Sequence, residues 1–129
     1  MHDGRSPALR VTLMPKDTNV HGTIFGGVLL SHIDLAGAVA ARRHCDYMVT
    51  LKLTEVVFHE PVWVGDLISF YSDVVRIGNT SITVKVTVEA QRWLGAGEPV
   101  KVTEAEVVYV NVDENRKPKP ITRREISGS

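Results

Sequence analysis

The sequence predicts an α+β domain in which one long apolar helix is wrapped by an antiparallel sheet. Three observations carry this. A nearly uncharged, alanine-rich stretch follows Gly26-Gly27, four β-rich runs separated by turn signals come after it, and one of those runs alternates strictly between apolar and polar residues.

The helix is expected to open at Gly26-Gly27 and run to about His44. Leu29, Ile33, Ala36 and Ala40 fall on one stripe, and Leu30, Ala38 and Ala41 widen it until most of the surface reads as buried. Before it, Leu9 to Leu13 is placed as an edge strand. After it come Met48 to Phe58, stopped before Pro61, and Leu67 to Ile77, entered through Gly65-Asp66 and left through Gly78-Asn79. Ser81 to Trp93 sets Ile82, Val84, Val86 and Val88 on one face and Thr83, Lys85, Thr87 and Glu89 on the other, which predicts a sheet with a wet face. Val100 to Val112 closes the sheet, and the polar stretch from Asp113 is placed on the surface.

With 129 residues the chain fits a single domain, its core at about 8–112 and its tail at 113–129. Acidic and basic residues balance to a formal net charge of zero, so no chain-wide field draws nucleic acid or an anionic membrane, and an anion site must be built locally. The single cysteine, Cys45, excludes an intrachain disulfide and a cysteine-built zinc site, and it reads as a small buried side chain. His2, His21, His32, His44 and His59 lack zinc-ligand spacing, so no metal is expected, and His32 and His44 read as structural. No apolar run approaches the roughly 18 residues of a spanning helix, and the first residues lack a signal-peptide core, so a soluble, cytoplasmic protein is expected.

Chemistry concentrates between Met14 and Asp34. An ionised carboxylate on a helix with almost no other charge must be paired, bridged by water or functional, which singles out Asp34. Gly26 and Gly27 permit close backbone approach at a helix start whose first amides have no intrahelical acceptor, a position that suits a developing oxyanion. A tight turn with a close helix–sheet contact explains the same pair. Asn19 brings an amide able to orient water, while Asp17-Thr18-Asn19 equally reads as turn chemistry. His21 lies in the same loop and could approach a substrate, while it reads more readily as a surface loop histidine.

The run Asp17-Thr18-Asn19-Val20-His21-Gly22-Thr23-Ile24-Phe25-Gly26-Gly27, followed by Ser31-His32-Ile33-Asp34-Leu35-Ala36-Gly37, resembles the hotdog-fold acyl-CoA thioesterases of the YciA and cytosolic acyl-CoA hydrolase type. The resemblance continues through Pro61-Val62-Trp63-Val64-Gly65-Asp66 and Gly78-Asn79-Thr80-Ser81-Ile82, and so covers roughly residues 12–112. It implies a hotdog fold, dimers made by joining two sheets edge to edge, and, beyond the dimer, a trimer of dimers. It also implies hydrolysis of an acyl-CoA to free acid and CoA with neither cofactor nor metal. Asp34 would act from one protomer, as general base or as nucleophile, opposite Asn19 of the other, with the Gly26 or Gly27 amide on the oxyanion. For CoA, which needs local cations, the candidates are Arg76 and the hairpin Gly78, Asn79, Thr80 and Ser81; the basic cluster Arg116, Lys117 and Lys119 could also meet the phosphates, though it reads more readily as a solvated tail. Phe58, with Val28, Leu29 and Trp63, is expected along the acyl chain. A hotdog hydratase or dehydratase, and an acyl-CoA-binding sensor without chemistry, are the competing readings.

Overall fold

The computed structural model describes residues 5–24, 26–92 and 97–126. In chain order it contains β1 (Leu9–Val11), a 3-10 turn at Pro15–Asp17, α1 (Gly26–Ala41), β2 (Tyr47–Phe58), β3 (Leu67–Ile77), β4 (Ser81–Gln91) and β5 (Val100–Val112). The strands form one antiparallel sheet in the order β1-β3-β4-β5-β2. The helix lies chiefly across β3 and β4. Leu29, Ile33, Ala36 and Ala40 meet Ile68, Phe70, Val84, Val86, Val88 and Val107 there in one apolar core. Each fully buried Val, Ile or Phe side chain contributes about 1.5–3 kcal/mol relative to exposure, so this face holds the domain together.

Three elements end earlier than the sequence predicts. The helix stops at Ala41 because the next amides tighten: Arg43 N–H donates to Ala40 O and His44 N–H to Ala41 O, closing the last turn with shorter-range bonds. β4 stops at Gln91; Trp93, to which that strand was extended, lies outside the described residues. β1 is likewise shorter, ending at Val11 rather than Leu13.

The wet face expected on β4 is a correction. Ile82, Val84, Val86 and Val88 do point into the core, but Thr83, Thr87 and Glu89 are buried as well. β4 is the central strand, and its outer side chains sit between those of two neighbours. Thr87 is opposite Tyr71 on β3 and Glu104 on β5, and Glu89 is opposite Ser69 and Lys101. Long polar side chains from both sides roof over the centre of the sheet.

Glu104 organises that outer face. Its carboxylate receives Lys101 Nζ at 2.6 Å, His59 Nε2 at 2.6 Å and Lys85 Nζ at 3.3 Å. Lys101, followed by His59, holds the carboxyl down to about 2, from an ordinary value of 4.5. A depressed carboxyl contributes stability that is present above its unfolded pKa and lost as pH falls through its folded one. Glu104→Gln is therefore expected to cost about 1–2 kcal/mol at neutral pH, the lower part of what the shift allows because the cations are solvated. In urea titrations from pH 7 down to pH 2, the gap between the two proteins should close between about 4.5 and about 2.

The polar tail is exposed over most of its length, as expected, but it is lashed down. Ile121 is 3% exposed and its N–H donates to Asn79 O. The buried Asn111 side chain donates to Lys119 O and Pro120 O and accepts from the Asp46 amide. Asp46 in turn receives Lys119 Nζ and Arg123, Lys119 first among the interactions that hold its carboxyl below the usual range. No described helix is long and apolar enough to cross a membrane.

Candidate active site

Asp34 is the single charged residue of the sixteen-residue helix apart from the imidazole of His32. It sits eight positions after Gly26 on the flank turned toward β2. Its Oδ1 accepts a hydrogen bond from Thr50 Oγ1 at 2.8 Å, and it enters no ion pair among the described residues. The carboxylate is thus oriented but not neutralised, the state a general base requires. Thr50 was not singled out from sequence. A β-bulge lies between Thr50 and Lys52, so Thr50 and, past the bulge, Leu53 both turn toward the helix side, where simple alternation would separate them.

The surroundings of Asp34 are apolar and open. Leu35 on the helix and Leu51 on β2 are 59% and 60% exposed, with Val39 and Tyr47 exposed nearby in sequence. β2 is an edge of the sheet over its 12 residues, with unpaired backbone groups along one side.

Asn19 folds its own loop. Its Oδ1 accepts from His21 N–H at 2.8 Å and Thr23 N–H at 3.3 Å, and its Nδ2 donates to Thr23 Oγ1 at 2.8 Å. Gly22, at φ 81°, completes the turn in a conformation that side chains rarely adopt. One amide hydrogen of Asn19 is left without a partner among the described residues, so the side chain is fixed yet still able to donate once. His21 is exposed in the same turn. The loop is clipped to the 61–66 turn by Ile24 N–H on Val62 O at 2.8 Å and by the Thr23–Trp63 bridge. No hydrogen bond joins Asp34 to Asn19 among the described residues.

The two glycines at the helix start differ. A Cβ on Gly26 would stand 3.1 Å from Phe58 Cζ, whereas one on Gly27 meets nothing within 4 Å. Gly26 therefore serves the close contact, and Gly27 faces open space. Asp34 lies seven positions after Gly27 along the α-helix, about 10 Å of rise. One thioester cannot lie within about 3 Å of both on the same helix.

A cavity of about 380 Å³ opens at the helix start, lined by Thr23, Ile24, Gly26, Leu29, Phe58, His59, Glu60, Pro61 and Val62. Of the four residues expected along an acyl chain, Leu29 and Phe58 line it and Val28 and Trp63 do not. A larger cavity, about 1030 Å³, lies at the other end of the helix beside Arg5, Arg43, Arg123 and Arg124. Arg5 is paired with Asp73, Arg123 with Asp46, and Arg124 with the carbonyls of Ile77 and Gly78, so most of its positive charge is already engaged. Asp34 lines neither cavity.

The β3–β4 hairpin is closed by Gly78 N–H on Ser81 O at 2.8 Å, and a Cβ on Gly78 would press to 2.9 Å from Ser81 Oγ. Asn79 is exposed at its tip, and Thr80 O receives the Asn111 amide. Arg76 is exposed with no hydrogen-bond or ionic partner among the described residues. Arg116 and Lys117 are exposed beyond a turn capped by Asp113, whereas Lys119 is consumed by Asp46 and is not a free cation. His32 Nδ1 is bound to Val28 O and its ring stacks on Phe70, and buried His44 is bound to Arg123 O, both structural as expected. Cys45 is buried, and burial raises its thiol pKa, away from nucleophilic chemistry. No group of three or more His, Cys, Asp or Glu side chains that could hold a metal occurs among the described residues.

A central helix wrapped by a five-stranded antiparallel sheet in this strand order is a hotdog fold, here with one oriented carboxylate on the helix. Comparison with known proteins agrees. The profile of the Thioesterase superfamily matches residues 21–92. The acyl-CoA thioester hydrolase YciA of Salmonella typhimurium is 40% identical over 118 residues, covering 88% of this chain and 87% of that protein. Cj0915 of Campylobacter jejuni, a hexameric hotdog-fold thioesterase, superposes with a TM-score of 0.86 at 50% identity, over 94% of this chain and 93% of that one. HI0827, a hexameric broad-specificity acyl-coenzyme A thioesterase solved as an aspartate-to-alanine mutant, also gives 0.86, at 33% identity, over 94% and 89%. The chain belongs to the thioesterase superfamily, among the YciA-like acyl-CoA thioester hydrolases.

Proposed function

We propose that this chain, acting as one domain in the cytoplasm, hydrolyses acyl-CoA thioesters to free acid and CoA at a site shared between two protomers. One protomer gives Asp34 and Thr50; the other gives the Asn19 loop and the start of its helix. The observation that carries the reading is the carboxylate of Asp34, held by Thr50, in no ion pair among the described residues and beside the exposed Leu35. The roughly 10 Å of helix between Asp34 and Gly27 supports the division of labour, because a glycine amide of the same helix stands far from a carbonyl held close to Asp34. The free edge of β2, beside Asp34, is where a second sheet continues the first, and a trimer of such dimers follows the hexameric relatives.

In this mechanism Asp34 removes a proton from a water as that water attacks the thioester carbonyl. The partner's Gly27 or Gly26 amide stabilises the oxyanion, and the remaining Asn19 amide hydrogen holds the water or the carbonyl. Collapse of the tetrahedral intermediate expels the CoA thiolate, which is a good leaving group and takes up a proton. Arg76, the Gly78-Asn79-Thr80-Ser81 hairpin and Lys117 are the groups proposed for the CoA phosphates and His21 for the substrate entrance. None of this requires a metal or cofactor. The proposed pair is a helix aspartate facing Asn19, not the histidine and helix glutamate of a dehydratase, so hydration of an enoyl-CoA is not expected.

Thiol release from acyl-CoAs of increasing chain length tests the reading, with enoyl-CoA hydration measured alongside. Turnover of the saturated thioesters is expected. Binding without thiol release would establish a sensor, and hydration of the enoyl substrate would establish the alternative chemistry. Phe58 and Leu29 line the cavity at the helix start, which is proposed for the acyl chain. Phe58→Ala is expected to move the kcat/KM optimum to longer chains by two or more carbons, with a change of about tenfold at the longer substrate, the scale of one or two methylenes in an apolar pocket.

A further inference from the structure

The carboxylate of Asp34 is held from β2, and its backbone is held from β5. Tyr109, 1% exposed, donates its phenolic hydrogen to the Asp34 carbonyl with an Oη–O distance of 2.6 Å. Tyr109 is the register partner of Thr50 across the β2–β5 ladder, so the two residues stand side by side. One hydroxyl fixes the carboxyl oxygen and its neighbour fixes the main chain of the same residue. The Asp34 carbonyl lies mid-helix and already serves the helical bond from Ala38; Tyr109 uses its second lone pair. Such an extra donor is a tether between sheet and helix, not a repair of a broken end.

The tether needs room, and Gly37 supplies it. A Cβ built on Gly37 would stand 2.4 Å from Tyr109 Oη and 3.3 Å from Cε2 and Cζ of the ring. The hydroxyl occupies the space of the missing side chain. The phenol is kept protonated: burial, then the nearby Asp34 charge, raises its pKa well above the ordinary tyrosine value. It therefore remains a donor over the pH range in which the enzyme works.

We propose that Tyr109 and Gly37 form a positioning device for the hydrolytic reaction, a phenol-in-glycine lock that sets the height and rotation of the helical turn bearing Asp34. The inference rests on the reading of Asp34 as the reacting carboxylate. Tyr109 touches neither substrate nor water in this account; it acts through Asp34. Its loss shifts the carboxylate relative to groups contributed by another helix, which affects the chemical step and leaves CoA contacts intact.

The sheet places a second hydroxyl on a helix carbonyl, and it provides the control. Ser72 Oγ donates to the Ala36 carbonyl at 2.7 Å. Steady-state kinetics and thermal melts of Tyr109→Phe, Gly37→Ala, their combination, Ser72→Ala and Asp34→Ala test the lock. Tyr109→Phe is expected to lower kcat roughly tenfold to a hundredfold, the scale of a displacement below 1 Å of a reacting group, with KM changed less than about twofold. Gly37→Ala should do the same by expelling the hydroxyl. The combined variant should be no worse than the worse single one, because both remove one interaction. Ser72→Ala should lower Tm while kcat stays at the wild-type value. A wild-type kcat for Tyr109→Phe, a loss in Ser72→Ala equal to that in Tyr109→Phe, or additive effects in the combination would each overturn the lock. Asp34→Ala separates the two levels: if it is inactive while Tyr109→Phe is fully active, only the lock is wrong, whereas an active Asp34→Ala removes the reading beneath it.

Discussion

Asp34→Ala is expected to lower kcat for acyl-CoA hydrolysis by about 10²–10⁴-fold, the range contributed by a positioned general base, while KM changes little. The asymmetry follows from where the carboxylate sits. It lies mid-helix beside Thr50 and is not among the groups proposed for the CoA phosphates, so its removal is expected to spare CoA binding. The helix should tolerate the change well. Alanine is the best helix former, and the lost bond to Thr50 leaves a threonine hydroxyl at an open surface able to meet water. Stability unchanged or slightly raised, with activity gone, is the signature of a carboxylate kept for chemistry. Thiol release together with urea titration of the same preparations gives both quantities.

Arg92→Met should produce the largest loss of stability, about 3 kcal/mol, or a fall in Tm of about 10 °C. Asp66 is 3% exposed, and its Oδ2 accepts both from Arg92 Nη1 and from the Trp63 amide at 2.9 Å. Arg92 also reaches Pro61 O at 3.2 Å. Removing the cation leaves a buried carboxylate with one backbone donor, and desolvation without compensation is expensive. The consequence spreads, because the 61–66 turn is the strip to which Thr23 and Ile24 are clipped. A looser turn lets the Asn19 loop drift, so kcat should fall along with Tm. Adding Asp66→Asn to Arg92→Met keeps the acceptor for Trp63 and removes the charge, and thermal melts should show it recovering part of the loss.

Periodicity and turn chemistry made the fold legible. The helix pattern Leu29, Ile33, Ala36, Ala40 is the face that packs on the sheet, and Gly65-Asp66 and Gly78-Asn79 mark strand ends within a residue or two. Asp66 shows why such signals work: it caps the Trp63 amide while Gly65, at φ 94°, turns the chain. Where neighbours decide, local pattern fails. Thr83, Thr87 and Glu89 read as solvent-facing, yet two flanking strands cover them, which period-two alternation does not encode. The tail reads as polar, yet a single isoleucine, Ile121, and the buried amide of Asn111 fix its course. At the site, Asp34 was visible as a charge out of place on an apolar helix. Thr50 was not, because its direction depends on a bulge, and Tyr109 was not, because only a three-dimensional contact joins a phenol on the last strand to a glycine in the helix. Lys119 looked like a free cation and is not, since Asp46 is distant in sequence and near in space.

The shared site makes a prediction that no single-chain site can meet. Preparations of Asp34→Ala and Asn19→Ala, each inactive alone, are unfolded, mixed in equal amounts and refolded together. Random dimers then place the intact Asp34 of one chain against the intact Asn19 loop of the other in one site of every mixed pair, restoring about a quarter of wild-type thiol release. Activity that stays at the average of the two parents, in a mixture shown by mass spectrometry to contain mixed oligomers, would contradict a catalytic centre assembled from two chains.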